Sequence, residues 1–297
     1  MNNQTLFNNS SYTLHNIFRR VTVQYKDILV YLDDGKSNAE RIRTAFLLAE
    51  SQGARLTGIT LAALKPVHMR VKDKQAQAHI CQQEAEKRIT HFNELAEEAG
   101  IDFSSKIIEG DKGEALTRLS QFARNFDLVI FRQANPQNKN FDMVEEIASH
   151  IVLLCGRPVF FMPYIGAHKM PCKSAIIAWD GTPTATRAVH DTIPLLKEID
   201  EVTILVVTEG KKKTAKGELL ADDLASHLIR HDVNAKVKRI NSGTFDVPTV
   251  ILNQIAEHST DLLIMGGYGT PSLKQKIFGG VTRTLLSSMI IPVVMSH

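Results

Sequence analysis

Residues 261–283 read DLLIMGGYGTPSLKQKIFGGVTR, a short apolar run closed by a glycine cluster, with a second glycine pair ten residues further on. The run Asp261-Leu262-Leu263-Ile264-Met265 has an earlier counterpart in Asp127-Leu128-Val129-Ile130-Phe131. Ile291-Pro292-Val293-Val294 likewise matches Arg157-Pro158-Val159-Phe160, and in both cases 31 residues separate the Asp from the Pro. Two unrelated segments rarely agree that well by accident, so the chain reads as one structural unit used twice.

The beginnings of the two halves support this reading. The first opens on Asp27-Ile28-Leu29-Val30-Tyr31-Leu32 and Asp33-Asp34-Gly35, then a helical pattern from Asn38 to Gln52, then a strand pattern from Arg55 to Leu61. The second opens on Ser174-Ala175-Ile176-Ile177-Ala178-Trp179 and Asp180-Gly181, then a helix from Thr184 to Leu196 and a strand from Val202 to Thr208. Apolar strands without alternation, separated by helices, predict a parallel sheet covered on both faces. The fold class is therefore α/β, with two tandem doubly wound domains at 25–165 and 172–297. Residues 163–173, PYIGAHKMPCK, carry two prolines and a glycine and read as the linker.

In such sheets a ligand binds beyond the carboxyl ends of the strands, where the strand order reverses. In the second half that rule selects Trp179-Asp180-Gly181, Val206-Val207-Thr208 and the glycine-rich stretch. Gly266-Gly267-Tyr268-Gly269 follows a strand, and Gly279-Gly280 precedes a helix expected over Val281 to Ser288. Backbone without Cβ can approach a ligand closely, and a helix N-terminus favours an anion. A pair of tight turns explains the same glycines, and both readings stand at this point. The sequence has no G-x-x-x-x-G-K-[ST] loop, no G-x-G-x-x-G after the first strand and no G-x-S-x-G elbow, which excludes mechanisms built on those parts.

Gly266-x-x-Gly269, nine residues, then Gly279 resembles the G-2x-G-9x-G-[S/T] signature of the universal stress protein family, and the strand-plus-Asp beginnings fit the same family. The resemblance covers both halves and implies that each is a five-stranded parallel sheet. It also implies an adenine nucleotide, ATP or AMP, with Mg as an accompanying cation. Carried over, Asp180 contacts the adenosine portion, Val207 lines the adenine pocket, and Met265 and Gly266 flank base and ribose. Gly269, Gly279, Gly280, Val281 and Thr282 offer backbone or hydroxyl groups to ribose and phosphates. Two departures are visible: Gly280 stands where the family has Ser or Thr, and Tyr268 where a basic residue or His is common. The family also pairs domains through the strand containing Pro292-Val293-Val294, so Pro158-Val159-Phe160 is expected to face it inside one chain, with a homodimer as the other arrangement.

Aligned on the matched strands, Arg132, Asn135, Glu145 and Glu146 of the first half replace Gly266, Gly269, Gly279 and Gly280. Two carboxylates at a phosphate position oppose an anion, so the first half is expected to be degenerate as a nucleotide site.

Other residues carry weaker signals. His227 and His231 have metal-ligand spacing, but without a third ligand the expectation is a solvent-facing helix. Asp33 and Asp34 suit either a ligand contact or a turn, and Trp179 either an adenine cover or a core residue. Cys155 has no base beside it and reads as a buried thiol. No catalytic residue and no metal ligand is assigned.

The net charge is +3, with 35 basic and 32 acidic residues interleaved, so no nucleic-acid partner is implied. Lys211-Lys212-Lys213 reads as a solvated loop. Three cysteines without C-x-x-C spacing fit a reducing cytoplasm, and no apolar run suits a membrane span. Residues 1–24, Asn/Ser-rich without an acidic residue, read as a flexible tail, with an organelle-targeting segment as the alternative. The expected function is a stress-response or regulatory module binding a nucleotide in its second domain. The alternatives are a slow ATPase using the same pocket and an interaction scaffold binding no nucleotide.

Overall fold

The computed structural model describes residues 24–64, 71–137, 141–165, 170–208, 215–267 and 280–297. The first half runs β1 (Asp27–Tyr31), α1 (Asn38–Gln52), β2 (Arg55–Leu64), α2 (Val71–Glu98), β3 (Phe103–Asp111), α3 (Lys112–Ala123), β4 (Leu128–Arg132), α4 (Phe141–Leu154) and β5 (Val159–Met162). The second runs β6 (Ser174–Ala178), α5 (Pro183–Asp191), α6 (Ile193–Leu196), β7 (Glu201–Thr208), α7 (Ala215–Arg230), β8 (Ala235–Asn241), α8 (Val247–Glu257), β9 (Leu262–Gly266), α9 (Gly280–Ser288) and β10 (Val293–Ser296).

The ten strands among the described residues form one sheet in the order β3-β2-β1-β4-β5-β10-β9-β6-β7-β8. Within each half every pairing is parallel. The halves meet where β5 and β10 pair antiparallel, Val294 opposite Phe160 and Val293 opposite Phe161. Pro158-Val159-Phe160 thus lies against Pro292-Val293-Val294, as expected. Both strands are buried throughout, which leaves no open sheet edge at the seam.

Side-chain alternation along the strands creates two cores. Ile28 and Val30 face α1, α2, α5 and α7 through Leu48, Phe92, Ala188 and Leu228. Leu29 and Tyr31 face the opposite layer of α3, α4, α8 and α9 through Leu119, Ile151, Ile255 and Leu285. Each cluster draws residues from both halves, so the two share their cores.

Two predicted elements differ. The helix expected from Thr184 to Leu196 is interrupted at Thr192, where Pro194 inside the following turn cannot donate to the helix ladder. The strand expected to end at Leu61 continues to Leu64, because β3 supplies partners as far as Asp111.

Candidate functional site

β9, β6 and β7 are neighbours, with Ala178 opposite both Met265 and Leu205. The chain leaves β6 toward β7 and β8 on one side and returns to β9 on the other. The strand order therefore reverses between β6 and β9, and Asp180, Val207, Met265 and Gly266 come together beyond or at those strand ends. Val207 is half-buried and Met265 buried, both against the core that also holds Leu285 of α9.

Asp180 is exposed, and its Oδ1 accepts from Thr182 N at 3.0 Å and Thr182 Oγ1 at 2.7 Å. Thr182 Oγ1 in turn accepts from Ala185 N at 3.2 Å and caps α5. The carboxylate thus organises the turn, and its second oxygen has no hydrogen bond among the described residues.

Gly266 has a packing reason to be glycine. A Cβ there would lie 2.5 Å from Ala185 N and 2.6 Å from Thr184 Oγ1, so the first turn of α5 rests directly on the end of β9. Backbone cannot yield as a flexible side chain can. Gly266→Ala is expected to cost about 1–3 kcal/mol of stability, measured by urea unfolding, through this overpacking. An unchanged midpoint would show that α5 moves aside freely.

Gly280 is the first residue of α9, where the sequence placed it just before the helix. It is exposed, and a Cβ there meets nothing within 4 Å. A serine fits that position without rearrangement. Val281 is exposed and Thr282 buried. Tyr268, Gly269, Gly279 and Lys211 to Lys213 lie outside the described residues.

The equivalent edge of the first half is closed by its own side chains. Arg132, in the place of Gly266, is 7% exposed and reaches Asp33 at 2.5 Å. Asp33 also accepts from Arg41 Nη2 and from Gly35 N, each at 2.9 Å. Arg41 is fully buried, and its Nε donates to Tyr31 O at 2.7 Å. Burial pushes the Asp33 carboxyl up, but the Arg41 and Arg132 guanidinium groups together outweigh it and hold it at about 2. Asp34 pairs with Arg88. Asp33 and Asp34 are therefore committed to protein groups. The carboxylates expected to block this half are themselves neutralised, Glu145 by Arg283 of α9 at 3.5 Å and Glu146 by Lys112. What occupies the strand-end position is the Arg132 guanidinium. The sequence shows that Arg132 replaces a glycine; that it folds back over Asp33 is a tertiary result.

The remaining candidates resolve into packing. The helix bearing His227 and His231 was expected to face solvent, yet both residues are half-buried. The His227 ring sits 5.0 Å from that of His190 and 4.6 Å from that of His231, because α5 packs beside α7. Among the described residues no group of three His, Cys, Asp or Glu is arranged to hold a metal ion. Trp179 is 7% exposed and belongs to the core shared with α5 and α7. Cys155 is buried, and desolvation raises its thiol pKa. No described helix is long and apolar enough to cross a membrane.

The model of the Universal stress protein family matches residues 172–297. The second half is thus similar to the universal stress protein family. The similarity of fold extends further than the matched half. A universal stress protein from Archaeoglobus fulgidus DSM 4304, 16% identical, superposes with a TM-score of 0.71 over 91% of this chain and 95% of its own. A protein of unknown function from Pseudomonas aeruginosa PAO1, 13% identical, does so with a TM-score of 0.59 over 92% of each chain. A search of curated protein sequences gives no match. The universal stress protein fold thus accounts for both halves, while the family match itself rests on the second.

Proposed function

We propose that this chain is a tandem universal stress protein, a stress-response or regulatory module that binds ATP or AMP in its second domain. The domains are 25–165, whose nucleotide loop is degenerate, and 172–297, which keeps the G-2x-G-9x-G loop. The observation that carries this reading is the contrast between equivalent strand ends. In the second half β9 ends in Gly266-Gly267 beside Asp180, whereas in the first Arg132 and Asp33 close the same place. Asp180 meets the adenosine portion, Val207 and Met265 flank the base, and the glycine loop with Gly279, Gly280, Val281 and Thr282 meets ribose and phosphates, Mg accompanying ATP.

Calorimetric titration with ATP and AMP, with mass spectrometry of small molecules released on denaturation, tests the reading. Wild type is expected to bind, and Gly279→Asp to abolish binding by placing a carboxylate at the phosphate position. Gly280→Ser is expected to tighten ATP binding about fivefold, since a neutral hydrogen bond contributes about 1 kcal/mol and the site has room for the side chain. Absence of binding heat and of co-purified nucleotide would overturn the proposal. A scaffold that binds no nucleotide is the second reading, favoured by the packing of α5 on Gly266, which explains that glycine without a ligand. A slow ATPase in the same pocket would be revealed by product formation in single-turnover assays that Gly279→Asp removes.

A further inference from the structure

On the sheet face opposite α9, the seam between the halves holds a half-open cavity of about 220 Å³. Its walls are Leu48 of α1, Phe160 of β5, Leu195 and Ile199 at and beyond α6, Leu262 of β9 and Met170 of the linker. The first five are at most 6% exposed, so the interior is built from core side chains rather than from a surface groove. Leu47, 36% exposed, lies at the opening with Glu50, Ser51 and Glu198. A cavity of about 150 Å³ lined by aliphatic and aromatic side chains holds benzene, so this one has room for one ring with a short substituent.

Among the described residues, the ionisable lining groups are two carboxylates and the Cys172 thiol, with no lysine or arginine. Glu198 is half-buried and accepts a hydrogen bond from Gln52 Nε2, which fixes its carboxylate at the rim. Burial first, then Asp261, raises the Cys172 thiol to about 12, so it stays neutral and adds no anion-binding or nucleophilic character. The nearby Tyr25 phenol, whose OH donates to Asp191 O at 2.7 Å, is pushed well above its ordinary value, first by burial and then by Asp191, Asp127 and Glu198. An apolar interior with an acidic mouth selects against anions and adds attraction for a cation.

We propose that this cavity is a binding site for a small amphipathic cation, a single ring or short branched hydrocarbon bearing one ammonium group, seated between the two halves. The hydrocarbon fills the space between Leu48, Phe160 and Leu262, and the ammonium group meets Glu50 and Glu198. Because the walls come from both halves and the linker, the ligand contacts both domains at once. The site is independent of the nucleotide reading, lying on the other face of the sheet from the core that holds Val207 and Met265.

Ligand-observed NMR titration of the full chain with benzylammonium, toluene and benzoate tests this. Benzylammonium is expected to bind with millimolar or tighter affinity, toluene more weakly and benzoate not at all. Ser51→Trp, at an exposed position on the rim, is expected to abolish benzylammonium binding while leaving the unfolding midpoint unchanged. Glu50→Gln combined with Glu198→Gln is expected to weaken benzylammonium about fivefold, as for a rim ion pair, and to leave toluene unaffected. Failure of benzylammonium to bind wild type, equal binding of benzoate or toluene, or undiminished binding by Ser51→Trp would each overturn the proposal.

Discussion

Asp33→Asn is expected to destabilise the chain by about 3–5 kcal/mol at neutral pH, because it strands two buried guanidinium groups without their counter-charge. Arg41 is 0% and Arg132 7% exposed, so neither can recover hydration by a small movement. The amide keeps the volume and part of the hydrogen bonding, which confines the change to charge. The effect also has a defined pH dependence. The folded-state pKa is depressed to about 2 from 3.8, so the Asp33 contribution is fully present above about pH 4 and is lost as pH falls toward 2. The gap between wild type and Asp33→Asn should therefore shrink by about 2 kcal/mol over that interval. Urea unfolding of both proteins at several pH values measures it, and subtraction cancels the other carboxylates. Adding Arg132→Met should recover part of the loss, since one unpaired charge is then removed. A constant gap from pH 7 to pH 2 would show that the triad is not ionised as described.

The second large effect is expected at the seam. Phe161→Ala should cost about 3–5 kcal/mol, the usual range for deleting a fully buried aromatic ring. Phe161 is 0% exposed, faces Val293 across the antiparallel pair and packs edge-on against Phe131 with centroids 6.2 Å apart. Its core also contains Met295 and Leu285 of the other half. The loss should therefore appear in both halves together. Trp179, the single tryptophan, reports on the second half, while the substitution lies in the first. Its fluorescence transition should shift by the same amount as the far-ultraviolet dichroism transition. A Trp179 transition left in place would mean that the halves unfold independently.

These expectations place the asymmetry of the molecule at equivalent strand ends. The first half covers its strand end with an internal ion triad of Asp33, Arg41 and Arg132. In the second half the described chain at the end of β9 is Gly266-Gly267, with no arginine in the place of Arg132.

Most of the architecture was legible in the sequence because it depends on local periodicity. The α1 range Asn38 to Gln52 and the parallel, doubly covered strands followed from apolar spacing, and the duplicated 31-residue interval located equivalent elements in both halves. The pairing of Pro158-Val159-Phe160 with Pro292-Val293-Val294 was reached only through the family resemblance. Short buried runs state that they need neighbours without naming them.

The site was legible as a set of positions and not as an arrangement. The family resemblance named Asp180, Val207, Met265 and Gly266, and the order of the strands puts them on neighbouring strand ends. Spacing did not show that Gly266 accommodates the first turn of α5, that Arg132 covers Asp33, or that the His190 ring packs at a tilt against His227, as His231 does. Each of those depends on which elements pack side by side. Sequence by itself determined the repeated α/β unit, since hydrophobic period and turn chemistry are properties of neighbouring residues. Only the tertiary structure decided that Arg132 covers the first half's strand end, because burial and charge pairing depend on residues about a hundred positions apart, as Asp33 and Arg132 are.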